Sequence, residues 1–224
     1  MCGRFTLTVD PADLQEAFPW LTVPQGITPR YNIAPTQPVA VVPNNGSHKL
    51  DFYIWGLIPS WAKDPEIGNR LINARAETMA EKPSYRSAYR RRRCLVLTDG
   101  FYEWKQIPGS KSKTPIYIQL QSGKPFSFAG LWDLWNSPDG SQIYSCTIIT
   151  TEPNSLMATI HNRMPVILPS EAYSQWLDPS EQRPEDLQKF LKPYPAEEMK
   201  AFPVSRLVNS PENDTPQCIQ PVNA

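Results

Sequence analysis

The sequence predicts a mainly β, α+β fold with an antiparallel β core, barrel-like or sandwich, and several short helices. Proline contributes 25 of 224 residues, about double the usual ~5%, and it interrupts helix interiors and central strands. Runs rich in β-branched and aromatic residues outnumber helical periods. No repeat and no Gly/Ser linker divides the chain, so we expect a single domain over residues 1–224, with an extended tail from about residue 209.

Individual elements follow from local signals along the chain. Short helices are predicted where an N-capping side chain precedes a proline or an apolar period, at residues 10–18, 152–160, 170–176 and 185–191. Strands are predicted at 39–42, 52–55, 94–98, 101–105, 116–120, 126–131, 143–150 and 166–168. The polar, glycine-containing segments 44–47 and 121–124 are typical of hairpin turns, which favours antiparallel pairing.

The charge is balanced overall but uneven along the chain. Lys plus Arg and Asp plus Glu each number 22, which argues against a protein that coats nucleic acid through bulk positive charge. Residues 82–113 nevertheless carry nine basic and two acidic side chains, whereas residues 171–214 carry five basic and nine acidic ones. The run Arg90–Arg93 is either a phosphate-binding patch or the solvated end of a helix.

Several classes of protein are disfavoured by what the sequence lacks. It has no apolar run of about 18 residues and no basic region followed by an apolar stretch at its start. We therefore expect a cytoplasmic protein without a membrane partner. The four cysteines are scattered without a C-x-x-C pair and only two histidines are present, so we expect no metal, no cofactor and no structural disulfide.

The position of Cys2 is the most informative chemical feature. Removal of Met1, which a small second side chain permits, leaves Cys2 with a free α-amine beside its thiol. The amine has a reference pKa of ~7.7–8.0 and the thiol one of ~8.5. Such a pair can form a Schiff base with an aldehyde and then close a thiazolidine ring. The alternative is a cysteine that only packs in the core.

Two further residues are candidates for proton transfer. His161 follows a predicted helix and is either a proton shuttle near neutral pH or a structural histidine. Glu103 lies on a predicted strand between Tyr102 and Trp104, which alternation places on the opposite face. Since the aromatic pair would ordinarily take the core, we expect Glu103 on a surface or in a cleft, as an acid/base candidate or a solvated side chain.

A third group of residues has side chains that can bind a phosphate or stack on a base. Asn73 and Arg75 project to one side of an extended backbone, where they can orient an amine and bind a phosphate together. The alternative is a capping asparagine and a surface arginine. Trp61 either stacks on bases or anchors the core.

Seven short segments stand out in order along nearly the whole chain: Met-Cys-Gly-Arg-Phe at 1–5, Arg-Tyr-Asn-Ile-Ala-Pro at 30–35, Trp-Gly-Leu-Ile-Pro-Ser-Trp at 55–61, Asn-Ala-Arg-Ala-Glu-Thr at 73–78, Asp-Gly-Phe-Tyr-Glu-Trp at 99–104, Ile-His-Asn-Arg-Met-Pro at 160–165 and Pro-Val-Ser at 203–205. Together they resemble the motifs of the SOS-response-associated peptidase family, whose SRAP domain shields abasic sites in single-stranded DNA. The resemblance implies a monomer that associates with the nucleoid when it is bound to DNA.

The resemblance implies a role for each candidate. Cys2 would form a thiazolidine with the ring-opened abasic sugar, and Asn73 would position its amine. Glu103 would assist sugar opening and thiazolidine formation, and His161 would move protons during ring closure and reversal. The implied DNA contacts are Arg4, Asn32, Trp61, Arg75, Trp104 and Arg163. The family name also records a peptidase activity, which here would amount to removal of Met1.

Two other functions remain open at this stage. An N-terminal-nucleophile hydrolase of the glutamine amidotransferase type can also begin Met-Cys-Gly and use its own α-amine as base; glutaminase activity without DNA would identify it. A non-covalent single-stranded DNA-binding module would leave no adduct after denaturation, and its DNA association would survive Cys2→Ala.

Overall fold

The computed structural model describes residues 2–222, which form thirteen strands and five short α-helices. The strands are β1 (Phe5–Leu7), β2 (Arg30–Ile33), β3 (Pro38–Pro43), β4 (Asp51–Trp55), β5 (Asn73–Arg75), β6 (Arg93–Thr98), β7 (Gly100–Gln106), β8 (Lys113–Leu120), β9 (Phe126–Asn136), β10 (Gln142–Thr151), β11 (Met164–Pro165), β12 (Ile167–Leu168) and β13 (Met199–Pro203). The predicted removal of Met1 and the last two residues of the predicted tail lie outside the described residues.

The helices are all two turns or shorter. They are α1 (Pro11–Ala17), α2 (Arg86–Arg91), α3 (Ser155–Ala158), α4 (Tyr173–Trp176) and α5 (Pro184–Leu187). Single 3₁₀ turns occupy Pro65–Arg70, Ser170–Ala172, Gln188–Phe190, Ala196–Glu198, Arg206–Asn209 and Pro216–Ile219. No helix within residues 2–222 has the length and apolar character needed to cross a membrane.

Five strands close into a barrel. Their order is β4-β3-β6-β9-β10, and β10 returns beside β4 through the pairs Ser145↔Ile54 and Cys146↔Trp55. That closing pair is parallel, whereas the other pairs of the ring are antiparallel. A second, antiparallel sheet has the order β13-β8-β7-β1-β2. The predicted α+β class with a barrel-like β core is therefore confirmed.

A cluster of aromatic side chains joins the second sheet to the barrel. Phe5 of β1 packs edge-on against Trp55 of β4, with ring centroids 5.0 Å apart, and against Phe128 of β9 at 5.8 Å. Phe101 of β7 meets the same Phe128 at 5.7 Å. All four rings are fully buried, and edge-to-face contacts add specificity to their apolar burial. They fix β1 and β7 side by side over the barrel.

Local capping explains where two helices begin. α1 starts at Asp10, whose carboxylate accepts from the amides of Ala12 and Asp13, as the sequence predicts. α3 starts after Asn154, whose side chain accepts from the Met157 amide, and so begins two residues later than predicted. The amide of His161 donates to the Met157 carbonyl at 2.8 Å, which extends the turn and orients His161.

Each predicted strand overlaps an observed one, but one predicted hairpin is wrong. Segment 121–124 joins β8 to β9, and these strands belong to different sheets. The segment 44–47 does lie between two paired strands, β3 and β4. The sequence also missed α2 and the strands β1, β2, β5, β11 and β13, all six residues long or shorter.

The C-terminal segment is packed against the second sheet rather than extended. The Asp214 carboxylate accepts from the Arg30 guanidinium and from the backbone amide of Asn32 at 3.0 Å. Cys218 is fully buried in a 3₁₀ turn and packs with Val208 and with side chains from β7 and β8. The predicted extended tail is therefore wrong, because the outer face of β7 and β8 is apolar and this segment covers it.

Candidate active site

The start of the chain runs along β7. Phe5 pairs with Phe101, and the Tyr102 amide donates to the Arg4 carbonyl at 2.9 Å. Continuing this antiparallel register brings the residues before Arg4 alongside Glu103. Cys2 is accordingly close enough to Glu103 for the carboxylate charge to act on its thiol.

Asn73 ties a third segment to Cys2. Its backbone is fixed because β5 pairs with β10 through Asn73↔Ile148 and because the Tyr85 hydroxyl donates to the Asn73 carbonyl at 3.1 Å. The side-chain Nδ2 donates to the Cys2 carbonyl at 2.8 Å. Its Oδ1 is buried and has no hydrogen-bond partner within residues 2–222. The amide thus holds the Cys2 backbone and keeps one acceptor available beside it.

The Cys2 side chain is fully buried. Burial, and secondly the negative charge of Glu103, raise the pKa of its thiol well above the ordinary value, because both disfavour the thiolate. Its Sγ lies 3.9 Å from the Arg4 carbonyl, a weak contact. The thiol is therefore protonated at neutral pH and needs a proton acceptor before it can act as a nucleophile.

Glu103 is 3% exposed, so the expected surface position is wrong. Alternation along β7 would expose Glu103 only if one face of the strand were open, but both faces are covered. Tyr102 packs on Tyr117 with ring centroids 5.0 Å apart, under the C-terminal segment. Burial raises the pKa of the Glu103 carboxyl to about 7. At neutral pH this group can both donate and accept a proton.

His161 completes the cluster from a fourth segment. Its Nε2 lies 4.0 Å from Glu103 Oε2, and its Nδ1 accepts from the Arg163 amide at 3.1 Å. Because Nδ1 is an acceptor, the neutral ring carries its proton on Nε2, on the side of Glu103. Burial lowers the pKa of His161, which favours that neutral form at pH 7. The ring is placed to exchange protons with the carboxyl.

Beside His161, Arg163 is engaged by a carboxylate. Its two terminal nitrogens contact the Glu77 oxygens at 2.8 and 2.9 Å, and one also donates to the Thr150 carbonyl at 2.7 Å. The side chain is 16% exposed. Arg75, which pairs with Thr150 through β5, is exposed. Glu77 was not predicted as a site residue; it lies in the turn that follows β5, and its position two residues after Arg75 was the available signal.

Arg4 and Asn32 form a second polar group near the start of the chain. Arg4 Nη1 donates to Asn32 Oδ1 and to the Val208 carbonyl, both at 2.7 Å. Its guanidinium lies 5.7 Å from the centroid of the half-buried Trp104 ring. Asn32 is fully buried and its Nδ2 donates to carbonyls of the C-terminal segment. Asn32 therefore holds Arg4 in this arrangement, and its predicted DNA contact stays a prediction.

The run Arg90–Arg93 separates into different environments. Arg93 is fully buried and donates to five backbone carbonyls. Arg92 is partly buried and pairs with Asp133, with Nε to Oδ1 at 3.2 Å. Arg91 pairs with Glu181 on the surface at 2.9 Å. Arg90 is exposed and makes no ion pair within residues 2–222. Only part of the run is thus available to a ligand.

Trp61 is 57% exposed, which excludes the core-anchor alternative for this ring. No group of three or more His, Cys, Asp or Glu side chains in the described part of the chain is arranged to hold a metal ion.

The arrangement around Cys2 can be compared with known families. A sequence profile described as SOS response associated peptidase (SRAP) matches residues 1–211. The chain belongs to the SRAP family. This confirms the resemblance drawn from the seven motifs, all of which lie within the matched residues.

Relatives and solved structures agree with the SRAP assignment. The chain is 49% identical over 223 residues to abasic site processing protein YoqW of Bacillus subtilis, covering 98% of this chain and 99% of the relative. It is 32% identical to abasic site processing protein HMCES of Xenopus tropicalis, covering 98% of this chain and 78% of the relative. A crystal structure of a Bacteroides thetaiotaomicron protein matches with a TM-score of 0.88 at 29% identity, covering 99% of this chain and all of that chain.

Proposed function

We propose that this SRAP protein processes abasic sites in single-stranded DNA, and that Cys2 forms a covalent thiazolidine with the ring-opened sugar. The observation that carries the proposal is the convergence of Cys2, Asn73, Glu103 and His161 from four distant segments. The names of the relatives, abasic site processing proteins, support the same substrate.

The first step is the release of the Cys2 amine. Removal of Met1 exposes an α-amine with an ordinary pKa of ~7.7–8.0, which is partly neutral at pH 7. Asn73 already holds the Cys2 carbonyl, and its buried Oδ1 supplies an acceptor for an amine hydrogen. This orients the nitrogen lone pair toward an incoming aldehyde. The peptidase activity in the family name corresponds here to this exposure of Cys2.

The second step joins the amine to the sugar. An abasic site is a furanose in equilibrium with an aldehyde. The protonated Glu103 donates to the ring oxygen as the ring opens, and its carboxylate takes up the proton that the C1 hydroxyl loses, so the group is protonated again for the next step. The amine adds to the aldehyde carbon, and loss of one water gives a Schiff base. A carboxyl with a pKa of about 7 supplies the proton for the departing hydroxyl at physiological pH.

The third step closes the ring. The Cys2 sulfur adds to the Schiff-base carbon, the thiol proton passes through Glu103 to the nitrogen, and a thiazolidine results. The overall reaction consumes one aldehyde, one amine and one thiol and releases one water. His161, with its Nε2 proton 4.0 Å from Glu103, moves protons in ring closure and in reversal. The adduct shields the lesion for as long as the ring stays closed.

Exposed side chains around the cluster are the proposed DNA contacts. Arg75 is free of ion pairs within the described residues and contacts a phosphate, and Trp61 stacks on a base next to the lesion. Arg4 and Trp104 contact the DNA together, since the Arg4 guanidinium lies over the Trp104 ring. Arg163 reaches a phosphate only by exchanging Glu77 for it. A covalent bond removes the need for tight non-covalent binding, which fits a chain without net charge.

The test is a denaturing gel with single-stranded DNA that carries one abasic site, using protein from which Met1 has been removed. We expect a slower band that forms without a reducing agent, and we expect Cys2→Ala or an additional N-terminal residue to abolish it. Cys218→Ala, a buried cysteine of the C-terminal segment, is the matched control and should keep the band. An equal yield with Cys2→Ala would show that the thiazolidine assignment is wrong.

A further inference from the structure

A groove outside the active site runs between Trp61 and helix α2. Its first part has a volume of about 390 Å³ and is lined by Trp61, Pro83, Arg86, Arg92 and Asp133 among others. Its second part, of about 350 Å³, is lined by Arg86, Arg90 and Arg91 with Glu181. Arg86 and Ser87 line both parts, so the two adjoin along α2.

The charge of the groove is positive after its internal pairs are counted. Asp133 is buried and is neutralised by Arg92, and Glu181 pairs with Arg91. Arg86 and Arg90 are exposed and form no ion pair within residues 2–222. They lie four residues apart on α2, so their side chains project from the same face about 6 Å apart. Two unpaired guanidinium groups in a row suit a polyanion with regularly spaced charges.

The buried Asp133 carboxylate holds the loop that carries Trp61 in place. Asp133 Oδ2 accepts from the Ser60 amide at 3.0 Å and from Arg92 Nη2 at 3.3 Å. One buried carboxylate therefore fixes the loop before Trp61 and the end of α2 relative to each other. The backbone of the Trp61 loop and the end of α2 therefore keep their spacing without a ligand, which lowers the ordering cost of binding.

We propose that this groove binds the phosphate backbone of the DNA strand that flanks the abasic site, with Arg86 and Arg90 as its phosphate contacts. The occupant follows from charge complementarity and from the aromatic wall, since single strands bind where a positive groove runs beside stacking side chains. The groove includes Trp61, which the proposed function places on a base next to the lesion. This inference rests on the proposed function, which identifies the bound strand as single-stranded DNA with an abasic site.

The experiment measures binding by fluorescence anisotropy with a tetrahydrofuran analogue of the abasic site, which has no aldehyde and cannot crosslink. Three oligonucleotides are compared: two nucleotides on each side of the analogue, ten on the 5′ side only, and ten on the 3′ side only. The wild-type protein should bind one of the longer strands roughly tenfold more tightly than the short one. Each phosphate contact in a single strand contributes about 0.7 to the slope of log affinity against log salt.

The variant R86A/R90A should lose that gain and lower the salt slope for the long strand by about 1.4. The matched control K49A/K124A removes two exposed lysines elsewhere and should keep the wild-type slope. Thermal melting of both variants checks that they fold. The proposal fails if R86A/R90A binds the long strand as the wild type does, or if the control loses as much.

A separate arm distinguishes this outcome from failure of the proposed function. The wild-type protein is incubated with the longer strands, each carrying a true abasic site in place of the analogue. If no adduct forms there, the thiazolidine chemistry is wrong, whereas the length gain and its loss in R86A/R90A still report on the groove.

Discussion

Two sets of four residues behave in opposite ways in this molecule. Cys2, Asn73, Glu103 and His161 are far apart in sequence and meet at one point. The run Arg90–Arg93 is continuous in sequence and is dispersed among three kinds of environment. Sequence neighbours therefore share a local backbone, but their exposure depends on which elements pack on each of them.

The end of α2 explains the dispersion. Arg90 and Arg91 belong to the helix, Arg92 follows its last residue, and Arg93 begins β6. The change from helical to extended backbone turns successive side chains to different sides. The result is a structural arginine, two paired arginines and one exposed arginine in four positions. A positive run on a sequence map is thus a poor measure of the charge that a ligand can reach.

The largest effect expected in the run is that of Arg93→Met, which keeps most of the volume but removes all donors. Five backbone carbonyls lose this donor. The Arg90 and Asp178 carbonyls keep another one, whereas a buried group left unsatisfied costs about 1–3 kcal/mol. Allowing for partial repacking, we expect the free energy of unfolding to fall by about 3–5 kcal/mol. Chemical denaturation measures it. Arg90→Met is the control, with an expected change within about 0.5 kcal/mol; equal effects would remove the distinction between the two positions.

The next effect concerns the converging set, and it depends on pH. Burial raises the pKa of Glu103 from about 4.5 to about 7, so the folded chain binds this proton more tightly than the unfolded chain. The wild-type free energy of unfolding should therefore fall as pH rises through that window, by on the order of 3 kcal/mol. Glu103→Gln cannot ionise and should lack this component.

The measurement is a pair of denaturation series between pH 4 and pH 8. His161 has a lowered pKa and contributes a slope of the opposite sign, but it is present in both proteins. The difference in free energy of unfolding between variant and wild type therefore reports mainly on Glu103. As pH rises, Glu103→Gln should become more stable relative to the wild type. If the free energies of unfolding of the two proteins changed in parallel with pH, the pKa of the Glu103 carboxyl would not be raised. The same variant should also slow adduct formation.

The sequence predicted the long strands of the barrel because their apolar runs are intrinsic to them. It missed β5 and β11, which are three and two residues long and exist because β10 offers them hydrogen bonds. Cys2 was identifiable because its chemistry depends on its position in the chain. The burial of Glu103 and Asn32 was not predictable, since the residues that cover them come from distant segments of the chain.

A smaller effect separates the two paired arginines. Arg92→Ala removes the partner of Asp133, which is 4% exposed, although the Ser60 and Leu134 amides still donate to that carboxylate. We expect a loss of about 1–2 kcal/mol at neutral pH. Arg91→Ala breaks a pair whose members are 60% and 48% exposed and should cost less than about 0.5 kcal/mol. Urea denaturation of the two variants compares them, and a reversed order would contradict the role given to burial.

The smallest effect concerns Arg163 of the active site. It tests whether Arg163 can leave its partner Glu77 to bind a phosphate. Glu77 occupies both terminal nitrogens of Arg163, so a phosphate must replace it. Glu77→Gln removes the competing charge, and we expect non-covalent binding of abasic-analogue DNA to strengthen roughly threefold, with the salt slope steeper by about 0.7. Fluorescence anisotropy at several salt concentrations measures both quantities. Glu81→Gln, an exposed carboxylate nearby in the chain, controls for net charge. If the two variants steepen the slope equally, Arg163 keeps its partner in the complex and acts on His161 only through its backbone amide.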